Sequence, residues 1–111
     1  MNDSAPYEFG LSKIQLQLIL GVLHNFKEIE KALIFGSRAK GKNKPGSDID
    51  LALIGDKLNS LLVNRVASAL DDLPLPYMFD LINYHEITNE FLKKKIDDEG
   101  KLFYERKLNA V

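Results

Sequence analysis

Apolar residues recur at helical spacing early in the chain: Ile14, Leu18, Val22 and Phe26, with Ile19 and Leu23 beside them. Ser12 precedes this run and Gln15 stands three residues after it, the pattern of a capping box, so a helix is predicted from Ser12 to Phe26 or Lys27. Ala32-Leu33-Ile34-Phe35 is a short apolar run halted by Gly36, which reads as a buried strand. Residues 36–47, GSRAKGKNKPGS, hold three glycines and one proline and predict a long loop with room for one helical turn. A second strand is expected from Asp48 to Ile54, closed by Gly55-Asp56. Asp56 is the expected cap of a helix whose apolar face is Leu58, Leu61, Leu62, Val66, Ala69 and Leu70. Pro74 and Pro76 break the chain before a third strand, Tyr77 to Tyr84, whose odd member is Asp80. Thr88 or Asn89 then caps a helix carrying Phe91, Leu92 and Ile96, ended by Gly100. Asp97, Asp98 and Glu99 lie where that helix's dipole disfavours negative charge, and the sequence offers no reason for them. Leu102-Phe103-Tyr104 fits strand or helix equally.

This order predicts an α/β (α+β) fold, a small mixed sheet flanked by helices, in one domain over residues 11–111 after a flexible leader over 1–10. The length of 111 residues suits one core and one site, and an apolar share of 45% suits a globular chain. Fifteen basic and sixteen acidic residues leave no positive excess, so no direct grip on nucleic acid is expected. The absence of cysteine removes disulfides and thiolate metal sites from consideration. No apolar run approaches the ~20 residues that cross a bilayer, and MNDSAPYEFG lacks the basic and apolar regions of a secretion signal. A cytoplasmic domain without a membrane partner is the resulting expectation.

Chemistry concentrates in three places. In Asp48-Ile49-Asp50, strand alternation puts both aspartates on one face, where two carboxylates ~6 Å apart repel by roughly 2–3 kcal/mol at an effective dielectric of 20. A divalent cation reverses that sign, and hard oxygen ligands with no histidine or cysteine alongside favour Mg²⁺, with Mn²⁺ the alternative, over Zn²⁺. Upstream, the Gly36-Ser37 turn offers successive N–H groups and a hydroxyl to phosphate oxygens, and Arg38, one of three arginines, follows it. This is not a P-loop, because G-x-x-x-x-G-K-[ST] is absent. Asp80 sits among apolar neighbours and is the third carboxylate, which with two metal ions fits activation of a hydroxyl and stabilisation of a leaving pyrophosphate. Taken singly, each motif also reads as a solvated aspartate pair, an ordinary turn or a hydrogen-bonded acid. Lys40, Lys42 and Lys44 read as a solvated loop, with phosphate attraction the second reading, Lys93-Lys94-Lys95 as a solvated helix face or partner contact, and His24 as structural or exposed. His85 and Tyr84 lie near enough to the third strand's end to be considered.

Gly36-Ser37-Arg38-Ala39, ten intervening residues from Ser37 to Asp48, and then Ser47-Asp48-Ile49-Asp50-Leu51 resemble the signature of the polymerase-β-like nucleotidyltransferase superfamily. Within it the chain is similar to the minimal nucleotidyltransferase (MNT) group. The resemblance implies that Gly36, Ser37, Arg38 and Ser47 bind the nucleotide, that Asp48, Asp50 and Asp80 ligate two Mg²⁺ ions, and that Asp80 is also the general base. It further implies transfer of a nucleoside monophosphate, usually AMP from ATP, onto an acceptor hydroxyl. Minimal members pair with a separately encoded all-helical HEPN-type protein as the antitoxin of a toxin–antitoxin pair, some modifying a tyrosine of that partner. Two other readings stay open: a catalytically silent module that neutralises its partner by contact, and transfer onto a small molecule such as an aminoglycoside. The last requires an acceptor surface that homo- or hetero-oligomerisation would supply.

Overall fold

The computed structural model describes residues 8–107. Its first helix, α1 (Lys13–Asn25), opens on the expected capping box: Gln15 N donates to Ser12 Oγ at 3.1 Å, and Ser12 N donates to Gln15 Oε1 at 3.0 Å. Four strands, β1 (Lys31–Phe35), β2 (Ile49–Ile54), β3 (Phe79–Asn83) and β4 (Lys101–Glu105), form a single sheet in the order β3-β2-β1-β4. β1 runs antiparallel to β2 and to β4, whereas β2 and β3 are parallel. A parallel pair needs a crossover, and α2 (Ser60–Asp71) provides it. The third helix, α3 (Glu90–Glu99), follows a 3₁₀ turn at Tyr84–Glu86.

Side-chain alternation divides the sheet into two faces. Ala32, Ile34, Ile49, Leu51, Leu53 and Phe103 pack against Ile19 and Leu23 of α1 and Val66 and Leu70 of α2. Each such aliphatic side chain withdrawn from water contributes roughly 1.5–3 kcal/mol. The opposite face is smaller: Phe35 and Ala52 lie under Ile96 of α3, with Leu92, Ile82 and Tyr84 at the margin. The larger core therefore holds the scaffold, and the sparsely covered face leaves room for chemistry.

Several expectations are corrected. Ile14, placed by periodicity on the buried stripe, is 71% exposed, and Leu16 and Leu20 join the core margin in its stead. Leu61 is likewise exposed, and α2 begins later than expected. Its cap is Asn59, whose Oδ1 accepts from Leu62 N at 2.9 Å; Asp56 lies in a preceding turn and donates its N–H to Glu30. The third strand is shorter than predicted, since Tyr84 opens the 3₁₀ turn. Gly100 does end α3, with φ −66 and not in the left-handed region. The ambiguous stretch after it is β4, paired along β1 with a register shift between Ala32 and Leu33. Within the expected leader, Glu8 bridges to Leu11 and Phe9 packs on Phe103 at 5.8 Å between ring centroids; residues 1–7 lie outside the described residues.

Candidate active site

The ladder between β1 and β2 ends on the pair Phe35–Asp50, and there the chain leaves the sheet at Gly36 with φ +77. That left-handed conformation disfavours a side chain, and a Cβ built at this position would run into Asp50 Oδ2. Glycine is thus required for the backbone of the turn to rest directly on a carboxylate. Asp50 is also in register with Asp80 on the parallel strand β3, so the two acids share the α3 face of the sheet as neighbours. Asp48 immediately precedes β2, two residues from Asp50.

Electrostatics ties the three acids together. Partial burial of Asp50 raises its pKa above the usual carboxylate value, and the charges of Asp80 and then Asp48 raise it further. Lys95 on α3 and Arg38 oppose that shift. Asp48 and Asp80 are exposed. Among the described residues, no three acidic or histidine side chains are gathered into a ready-made metal cage. The donors are nonetheless carboxylate oxygens on neighbouring strands beneath an amide-lined turn, a set suited to a hard divalent ion carrying phosphate.

The loop meets expectation in one respect and departs from it in two. Residues 37–40 form the one helical turn for which the loop had room, ended in the manner of a Schellman motif: Lys42 N donates to Ser37 O at 2.9 Å, Gly41 N to Arg38 O at 3.3 Å, and Gly41 has φ +70. Arg38, expected at a phosphate, is 2% exposed and points inward. Its Nη2 donates to Ser47 O at 2.7 Å, Nη1 to Phe9 O at 2.9 Å, and Nε to Ser47 O and Asp48 O at 3.1 and 3.3 Å. The guanidinium also stacks over the Tyr77 ring at 4.7 Å. A planar fork of donors meeting three carbonyls explains why this side chain turns into the protein. Ser47, also assigned to the nucleotide, uses its Oγ to accept from Lys44 N at 2.8 Å and so closes the loop at Pro45-Gly46. Gly36, Ser37, Asp48, Asp50 and Asp80 are brought to one end of the sheet; Arg38 and Ser47 hold the loop that carries Gly36 and Ser37.

Two features of the site went unread in the sequence. Lys40 in the loop pairs with Glu99 at the end of α3, N–O 3.2 Å, close enough for an ion pair but off the angle of a hydrogen bond. Lys95 lies close enough to Asp50 for its charge to lower that acid's pKa. The helical phase of Lys95, one residue before Ile96 and four before Glu99, was the available signal.

Comparison with known proteins agrees with this geometry. Residues 17–109 match the family described as polymerase beta, nucleotidyltransferase. The chain is 32% identical over 85 residues to the probable protein adenylyltransferase MntA of Haemophilus influenzae, covering 76% of this chain and 75% of the relative. Among solved structures, a toxin–antitoxin complex with AMP-PNP superposes with a TM-score of 0.62 at 23% identity, covering 83% of this chain and 74% of the other. A complex of tri-AMPylated Shewanella oneidensis HEPN toxin with MNT antitoxin gives 0.64 at 20% identity, covering 85% and 72%. At those identities the structures establish the fold, and the sequence matches establish the family. With its glycine-serine turn set upon paired strand carboxylates, the chain belongs to the polymerase beta nucleotidyltransferase family and is an MntA-like minimal nucleotidyltransferase.

Proposed function

We propose that this chain transfers AMP from ATP, with Mg²⁺, onto a hydroxyl of a HEPN-type toxin, and so serves as the antitoxin of the pair. The observation that carries this reading is the in-register pair Asp50 and Asp80 under the Gly36 turn, in a chain 32% identical to an MntA adenylyltransferase. The toxin–antitoxin complexes of similar fold, one with AMPylated toxin and one with AMP-PNP, support the choice of partner and nucleotide.

Asp48, Asp50 and Asp80 would hold the metal, in keeping with the general use of divalent ions in this superfamily. Bound there, two Mg²⁺ ions would neutralise phosphate charge and assist departure of pyrophosphate. The chain's own residues do the rest. Backbone amides at Gly36 and Ser37, with the Ser37 hydroxyl, orient the phosphates. Asp80, exposed at the open edge of the site, takes the proton from the acceptor hydroxyl. The new bond joins the acceptor oxygen to the α-phosphorus, and the bond from that phosphorus to the bridging oxygen breaks. Positioning and charge compensation supply most of the acceleration.

The test combines the purified chain, its HEPN-type partner, labelled ATP and Mg²⁺. The partner gains label with the parent chain and none with Asp50→Asn, while complex formation persists in both. Protection of cells that survives Asp50→Asn would instead establish neutralisation by contact alone.

A further inference from the structure

We propose that Lys95 is a phosphate-binding residue of this site, reaching from α3 toward the triphosphate held at the Gly36–Ser37 turn. The proposal rests on the nucleotidyl-transfer reading above. Leu92 and Ile96 seat α3 against the sheet face that bears Asp50 and Asp80. At 3.6 residues per turn, Lys95 falls about 60° from Leu92 around the helix and about 40° from Glu99, on one flank of that apolar seam. Glu99 reaches Lys40 of the loop, so this flank is the one turned toward the phosphate-bearing segment. Lys93 falls on the opposite flank, over the Tyr84 ring at 5.4 Å, and Lys94 points away and pairs with Asp98 at 3.0 Å.

The other cations near the turn have partners. The Arg38 guanidinium is engaged with backbone carbonyls, and Lys40 with Glu99. Lys95 forms no ion pair among the described residues, although Glu99 stands four positions on. Its charge is among those that oppose the raised pKa of Asp50, which agrees with the flank that helical phase assigns to it. A nucleoside triphosphate adds about four negative charges to three aspartates already in mutual repulsion, so about three remain uncompensated with two Mg²⁺ ions bound, and a nearby cation lowers that excess. A flexible ammonium with three donors suits a phosphate chain that must depart as pyrophosphate.

The test measures ATP binding by calorimetry and AMP transfer to the HEPN-type partner, both with Mg²⁺. Lys95→Gln is expected to raise Kd and KM for ATP about tenfold with kcat changed far less, matching loss of one charge-assisted contact. Lys95→Arg recovers most of that loss, and Lys94→Gln, the same charge change on the outer flank, has no effect. Thermal melts verify that each variant folds. Equal Kd and KM for the parent chain and Lys95→Gln would overturn the role of Lys95 and leave nucleotidyl transfer standing. A parent chain that neither binds ATP nor transfers AMP would remove both.

Discussion

Gly36 shows how one residue joins backbone conformation to catalysis. Its φ of +77 and the contact that a Cβ would make with Asp50 Oδ2 act at the same place. Gly36→Ala is expected to cost about 1–3 kcal/mol in urea denaturation, the range for a side chain forced into the left-handed region, and to abolish transfer by displacing Asp50. Asp50 itself carries a stability cost that depends on pH. Burial first, then Asp80 and Asp48, make its folded carboxyl harder to ionise than in the unfolded chain. The folded state therefore binds the proton more tightly, and stability without metal falls as pH rises from the usual carboxylate pKa through the raised one. Asp50→Asn removes that slope. Above the window the variant should be the more stable protein, by an amount that solvent screening keeps small, though inactive. Melts from pH 3 to pH 8 in EDTA, over roughly the range in which carboxylates titrate, would check the sign.

At the level of elements, the loop over residues 36–47 is anchored to the body of the protein in spite of its three glycines. Arg38 ties it to Phe9, Ser47 and Asp48, and Ala39 plugs into the main core. Arg38→Lys cannot reproduce the planar fork, so it is expected to cost about 2–4 kcal/mol and to expose the loop to proteolysis. Limited trypsin digestion with and without ATP would measure this. α3 explains the acidic cluster that local propensity could not. Asp97 accepts from the Tyr84 hydroxyl at 2.5 Å, Asp98 pairs with Lys94, and Glu99 with Lys40. Each acid is thus used by another element or by the preceding turn, which outweighs an unfavourable helix dipole. The Asp97 bond is also the main cause of the raised Tyr84 pKa. Asn89 caps α3 through Leu92 N at 3.1 Å, and Asn89→Ala should cost about 1 kcal/mol by thermal melt.

For the whole molecule, three acids on one face make folding and ligand binding a linked equilibrium. Mg²⁺ with ATP should raise the melting temperature of the parent chain, approaching about 2.7 kcal/mol of stabilisation at a hundredfold excess over Kd. Asp50→Asn should show little of that rise, and a calorimetric scan distinguishes the two. The sequence by itself determined the helix and strand order as far as α3, the capping box at Ser12 and Gln15, and the motif spacing from Gly36 to Asp50, because these are patterns of neighbours along the chain. The family could be named from them. Only the tertiary structure decided that β2 and β3 run parallel with Asp50 beside Asp80, that the segment after Gly100 becomes a strand on β1, and that Arg38 turns inward. Register, strand order and the partners of a long cationic side chain depend on residues distant in sequence, and local pattern carries no record of them.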